Sequence, residues 1–122
     1  MIRVLIADDD RTVRERLGHF FEERGLTVLQ AATLEEAVET ARAEQPAVAI
    51  LDSDTHSEID GFAAVKAIQE AVPTVNVILL VAASHNRRHL EARRAGADVV
   101  LIKDLTTETD LGVAVINFVG KA

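Results

Sequence analysis

The feature that most constrains the fold is the regular alternation of short apolar runs with helical patterns along the whole chain. Each apolar run has the length of one buried strand, and between the runs apolar residues recur at helical spacing. Strict alternation implies parallel strands joined by right-handed crossovers, with helices on both faces of one sheet. The predicted strands are residues 3–7, 26–31, 47–51, 75–81 and 98–102.

The predicted helices begin and end at recognisable signals. Gly25 closes the first helix, whose apolar positions start at Val13. Thr33 and Glu36 form a capping box for the second, which ends before Pro46. The other predicted helices cover residues 62–72, 86–95 and 107–119.

Two architectures fit a chain of 122 residues with this alternation. One is a flavodoxin-like, doubly wound (βα)5 sheet with parallel strands in the order 2-1-3-4-5, and the other is a fragment of a larger Rossmann domain. With 48% hydrophobic and 27% charged residues, the composition is that of a globular protein. We expect one domain covering residues 1–122.

Composition excludes several classes of function. The net charge of −7 argues against direct nucleic-acid binding by this domain, which needs clustered Lys and Arg. Without cysteine, thiolate chemistry and disulfides are impossible. The apolar run 77–83 is too short to span a bilayer and the first residues do not resemble a signal peptide, so no membrane association and a cytoplasmic location are expected.

Ionisable residues follow the predicted strands where ligands bind in this architecture, at the carboxyl ends near the switch between strands 1 and 3. Asp8, Asp9 and Asp10 follow strand 1, Asp52 follows strand 3, and Lys103 follows strand 5. Crowded carboxylates repel unless a cation joins them, and oxygen ligands of this kind suit Mg²⁺. Mg²⁺, a carboxylate that can attack phosphorus, and a lysine are the groups needed to form and break an acyl phosphate.

Three motifs resemble the receiver domain of two-component response regulators. VLIADDD (4–10), PAVAILD (46–52) and GADVVLIKD (96–104) are similar to its first, third and fifth strands, so the resemblance covers essentially the whole chain. The resemblance implies a phosphorelay protein in which Asp52 accepts a phosphoryl group from a histidine kinase or a phosphotransfer protein. It also implies signalling to an output domain or a partner protein.

The same resemblance implies roles for the other rim residues. Asp9 and Asp52 would bind Mg²⁺ directly, Asp8 would act through water, and Asp54 would contribute its backbone carbonyl. Lys103 would hold an oxygen of the phosphoryl group.

The chain departs from the family pattern at the residues that usually respond to phosphorylation. Val81 stands where the family has Thr or Ser at the end of strand 4, and Val100 replaces an aromatic residue in strand 5. Ser84 could supply a hydroxyl only if the backbone bends. The loop after Asp52 is one residue longer than usual and lacks a proline, and Asp104 resembles the branch with NarL-type outputs.

Two other functions remain open. The chain could be an atypical receiver that acts without phosphorylation as an interaction or dimerisation module. Its last helix has apolar residues on more than one face: Leu111, Val113, Val115, Ile116, Phe118 and Val119.

The motif DSDT (52–55) also resembles haloacid-dehalogenase-type phosphatases, but it follows the third strand and His56 departs from that motif. We therefore expect no enzyme beyond self-phosphorylation and self-dephosphorylation.

Overall fold

The computed structural model describes residues 2–55, 57–82 and 96–119. Five parallel strands form one sheet in the order β2-β1-β3-β4-β5, which confirms the predicted flavodoxin-like arrangement. The strands are β1 Arg3–Ala7, β2 Thr27–Ala31, β3 Val48–Asp52, β4 Asn76–Val81 and β5 Val99–Ile102. β3 runs one residue further than the sequence predicts, so Asp52 is the last residue of a strand.

Four helices are described, together with a short 3₁₀ helix at Lys103–Leu105. They are α1 Arg11–Glu22, α2 Leu34–Glu44, α3 Gly61–Ala71 and α4 Glu108–Val119. The helix predicted over residues 86–95, like Ser84, lies outside the described residues. No helix in the described ranges is both long and apolar enough to cross a membrane.

Side-chain caps set the beginnings of the first three helices. The Thr33 hydroxyl accepts the amide of Glu36 at 3.1 Å, as the capping box predicts, and the Glu36 carboxylate accepts the amide of Ala32 at 3.3 Å. Asp10 caps α1, and Asp60 caps α3. Two of the acidic residues near the rim therefore have structural roles.

Apolar layers cover both faces of the sheet. Leu5, Leu51 and Leu79 belong to the layer under α2 and α3, while Ile6 and Ile50 belong to the layer under α1 and α4. Burial on both faces explains why the central strands read as continuous apolar runs. It also leaves the rim at the carboxyl ends of the strands as the place where polar side chains meet.

Candidate phosphoacceptor site

Two carboxylates lie side by side at this rim because β1 and β3 are neighbours in the sheet. Ala7 pairs with Leu51, so the next residues, Asp8 and Asp52, leave the sheet at the same level. Both are buried, with 4% of Asp8 and 1% of Asp52 exposed. Asp8 is fixed by its backbone: its carbonyl oxygen accepts the Arg14 guanidinium at 2.7 Å.

The Asp52 carboxylate contacts a lysine on one oxygen and a backbone amide on the other. Lys103 Nζ lies 2.6 Å from Oδ2, and the amide of Asp54 donates to Oδ1 at 2.9 Å. Within the described part of the chain, Oδ2 accepts no hydrogen bond of regular geometry, so its contact with Lys103 is an ion pair. The Lys103 side chain is 39% exposed, so solvent reaches the ammonium.

This crowding shifts two pKa values. Burial raises the pKa of Asp8 from 3.8 to about 6, and the charge of Asp52 adds to the effect, while the amide of Asp10 and the charge of Lys103 oppose it. For Lys103, partial burial lowers the pKa, but contact with Asp52 and the charges of Asp52, Asp8 and Asp54 outweigh it and raise that pKa. The site therefore carries excess negative charge that a cation would stabilise.

The remaining predicted ligands lie at the edge of this group. Asp9 follows Asp8 directly and is exposed, as is Asp54. Across residues 2–55, 57–82 and 96–119, no three Asp, Glu or His side chains are placed to hold a metal ion by themselves. The structure thus brings together Asp8, Asp52 and Lys103, and any metal bound here needs backbone oxygen or water as well.

Val81 and Val100, the two residues at which the sequence departs from the expected pattern, are apolar and packed. Val81 ends β4, is 1% exposed, and belongs to the layer under α2 and α3. Val100 in β5 is half-buried against the same layer. Neither side chain offers a hydroxyl or an aromatic ring.

The loop after Asp52 has contacts that sequence analysis missed. Ser57 Oγ accepts the amide of Leu34 at 2.6 Å, and Glu35 accepts the amides of Glu58 and Ile59. These partners are 23 or 24 residues apart, so no local motif marks them. The first turn of α2 therefore holds the loop that begins at the carboxylate site.

A cavity of about 580 Å³ adjoins the site on the side of α1 and α4. Asp8 and Lys103 line one end of it, and Arg16 and Glu108, which form a salt bridge, line another part. A small molecule or solvent therefore has room next to the lysine.

Comparison with known proteins identifies the family of the chain. The family model described as response regulator receiver domain matches residues 4–115. An uncharacterized transcriptional regulatory protein of Bacillus subtilis, YhcZ, is 31% identical over 109 residues, which cover 88% of this chain and 50% of that protein. Protein PilH of Pseudomonas aeruginosa is 30% identical over 111 residues, covering 89% of this chain and 91% of PilH.

Solved structures show the same fold. A response regulator receiver domain from Clostridium thermocellum superposes with a TM-score of 0.89 at 24% identity, covering 99% of this chain and 96% of that one. The chain spans about half the length of the first curated relatives that it matches. The family model, the match to PilH over about nine tenths of both chains and the paired carboxylates with their lysine lead to one conclusion: the chain belongs to the receiver domain family of two-component response regulators.

Proposed function

We propose that this receiver accepts a phosphoryl group on Asp52 in a Mg²⁺-dependent reaction and signals to an output domain or a partner protein. The observation that carries the proposal is the buried Asp52 carboxylate, which lies beside Asp8 and 2.6 Å from the Lys103 ammonium. A turn or capping aspartate needs neither burial nor a lysine partner. A carboxylate that must attack phosphorus needs a fixed position and a cation nearby.

The residues present fit a magnesium ion. Mg²⁺ takes oxygen ligands, keeps several waters, and commonly uses one or two carboxylates. Asp9 and Asp52 would bind it directly, Asp8 would act through water, and the backbone carbonyl of Asp54 would complete the protein ligands. When bound, the ion would neutralise charge on the transferring phosphoryl oxygens. The raised pKa of Asp8 and the lack of a regular hydrogen bond to Asp52 Oδ2 among the described residues support a cation site at this rim.

The chain's own residues carry the transfer. A carboxylate oxygen of Asp52 attacks the phosphorus of the donor and forms a new O–P bond. The bond from phosphorus to the donor atom breaks, and its electron pair stays on the donor, which then takes up a proton. Lys103 holds an oxygen of the transferred group through its charge. The amide of Asp54, which donates to Oδ1, fixes the attacking carboxylate before reaction.

Family membership supports the choice of partners. A histidine kinase or phosphotransfer protein would donate the phosphoryl group, and in a chain this acidic we propose no direct nucleic-acid contact. YhcZ and LnrK, two relatives of about twice the matched length, are named transcriptional regulatory proteins. Together with Asp104 after Lys103, this favours a NarL-type context for the parent system. We propose that residues 1–122 form one receiver domain that works in the cytoplasm.

The response to phosphorylation differs from the usual one. Since Val81 and Val100 provide neither hydroxyl nor aromatic ring, we propose a receiver with an atypical switch. The phosphoryl group would act on its surroundings through Lys103 and the loop after Asp52 instead.

Incubation with acetyl phosphate or phosphoramidate and Mg²⁺, followed by intact-mass measurement, tests the proposal. The expected result is a gain of one phosphoryl group that is lost in Asp52→Ala and when Mg²⁺ is chelated. Glu58→Gln, which removes an exposed carboxylate from the same loop, is the matched control and should be phosphorylated like the wild type. No mass gain, or a gain that survives Asp52→Ala, would contradict the proposal.

A second function is an interaction or dimerisation module that works without phosphorylation. The last helix supports it: Leu111 and Val115 are buried, but Val113 and Ile116 are 54% and 56% exposed. Leu105, in the 3₁₀ helix before it, is 74% exposed. Light scattering over a range of protein concentrations measures the oligomeric state and so tests this second function. Association without phosphoryl donor that is abolished by Val113→Lys with Ile116→Lys would support the second function, and a monomer at every concentration would remove the homodimer.

A further inference from the structure

The loop after β3 is held at its far end by the first turn of α2. Ser57 Oγ accepts the amide of Leu34 at 2.6 Å, and Glu35 Oε1 accepts the amides of Glu58 and Ile59 at 2.5 and 3.2 Å. Glu35 and Ser57 also contact each other through their side chains. We refer to these five residues as the α2–loop latch.

Each contact of the latch gives a backbone amide an acceptor within the protein. The amide of Leu34 is one of the free donors at the start of a helix, and Ser57 supplies its acceptor from a distant part of the chain. The amides of Glu58 and Ile59 belong to no helix or strand, and one carboxylate oxygen accepts both. A negative charge in the first turn of α2 is also favoured by the helix dipole.

The near end of the same loop is fixed to the phosphoacceptor residue itself. The amide of Ser53 donates to the Leu80 carbonyl at 2.9 Å, which continues the ladder between β3 and β4. The amide of Asp54 donates to Asp52 Oδ1 at 2.9 Å, and the amide of Thr55 donates to the Asp52 carbonyl at 3.1 Å. Hydrogen bonds therefore hold the loop that contains Asp54 to β3 and β4 at one end and to α2 at the other.

We propose that Glu35 and Ser57 are positioning residues: through the loop backbone they set the place of the Asp54 carbonyl and the Asp52 carboxylate, and so couple α2 to the site. This inference rests on the proposed function of Asp52. Coupling is reciprocal, so a partner that moves the first turn of α2 changes metal affinity, and metal binding changes the turn by the same free energy. The latch thus gives a receiver with apolar residues at Val81 and Val100 a hydrogen-bonded connection from its site to a surface helix.

Substitutions that remove one side-chain acceptor at a time test the latch. In Glu35→Ala and Ser57→Ala, we expect Mg²⁺ affinity, measured by calorimetry, to fall about 10-fold, the lower end of the effect seen for residues that orient a metal ligand from outside. Ser57→Thr keeps the hydroxyl and should restore most of the affinity. Glu39→Ala removes an exposed carboxylate from the same helix and is the matched control. A purely structural role would lower the melting temperature and leave the affinity unchanged.

Hydrogen exchange provides a readout that does not depend on metal or phosphate. In Glu35→Ala, the amide of Asp54 should exchange faster than in Glu39→Ala, because the loop loses its second anchor. Exchange that rises only at residues 57–59, with metal affinity equal to the control, would overturn the inference. If the wild type binds no Mg²⁺, the proposed function is wrong. The exchange rate of the Asp54 amide in Glu35→Ala still tests the latch: faster exchange supports it, and unchanged exchange overturns it.

Discussion

Lys103 Nζ lies 2.6 Å from Asp52 Oδ2, although Asp52 ends β3 and Lys103 follows β5, two strands that are separated by β4 in the sheet. The short 3₁₀ helix that starts at Lys103 directs the lysine back across the rim. The carboxylate it meets is buried and lies beside a second one, Asp8. The stability of the protein and its dependence on pH should therefore respond to changes at Lys103 and Asp8.

Replacing Lys103 by methionine should destabilise the metal-free protein. A buried carboxylate left without its cation costs about 3–5 kcal/mol when the pair is fully buried, but solvent screens Lys103, so we expect a loss of about 1–2 kcal/mol. Urea unfolding followed by circular dichroism measures the loss, since the chain has no Trp or Tyr for fluorescence. Lys66→Met, at an exposed position of α3, is the control. Equal stability of the two variants would show that the ion pair does not stabilise the fold.

Asp8→Asn should stabilise the metal-free protein at neutral pH. The folded-state pKa of about 6 exceeds the ordinary 3.8, so the folded protein binds the proton more tightly and wild-type stability falls as the pH rises from about 4 to 6. Asparagine keeps an acceptor for the Asp10 amide and carries no charge. The expected gain is ~1–2 kcal/mol above pH 7 and close to zero near pH 4. Thermal melts across this range check the sign, and a gain that grows towards low pH would contradict it.

Val81→Thr tests whether the missing hydroxyl matters. Val81 is 1% exposed, so a hydroxyl placed there loses water and should cost about 1–2 kcal/mol in the unphosphorylated protein. If the phosphoryl group lies near this strand end, beryllofluoride with Mg²⁺ should reduce that cost. Melting temperatures of wild type and variant, with and without beryllofluoride, give the difference. A cost that beryllofluoride leaves unchanged would show that this position does not sense the site.

Two buried glycines in helices should respond differently to replacement by alanine. A Cβ at Gly18 would lie 3.4 Å from Val28 Cγ1, an ordinary contact, so Gly18→Ala should stabilise by about 0.5–1 kcal/mol through helix propensity. A Cβ at Gly112 would lie 2.9 Å from the ring of Phe20, which also stacks on Arg24. Gly112→Ala should therefore give no gain, or a loss. Urea unfolding of both variants checks this, and equal stabilisation would show that the Phe20 ring moves freely.

The fold and the centre of the site follow from the sequence because they depend on local patterns and on topology. Buried strands read as apolar runs, and parallel order places the ends of β1 and β3 together. Asp8, Asp52 and Lys103 therefore meet where the sequence predicts. Val81 also lies in the core, as the register of its apolar run indicates.

The loop contacts could not be predicted in the same way. Ser57 reads as an ordinary loop serine and Glu35 as a favourable charge in the first turn of α2. They meet only because α2 and α3 pack on the same face of the sheet, which places residues 23 or 24 positions apart within hydrogen-bond distance. Contacts between residues this far apart in the chain do not appear in the hydrophobic periodicity or motif spacing of the sequence.

The lysine of the site comes from the opposite end of the sequence from the first of its carboxylates, and this affects how the chain folds. When β1 and β3 pair, they bring Asp8 and Asp52 together before the segment after β5 has to be in place. A partly assembled sheet thus holds two confined carboxylates without the Lys103 ammonium beside them, and docking of β5 supplies it. The pairing of β5 with β4 is thus favoured by this charge neutralisation as well as by the hydrogen bonds between the strands. Partly folded forms are therefore less stable relative to the full sheet, and folding becomes more cooperative.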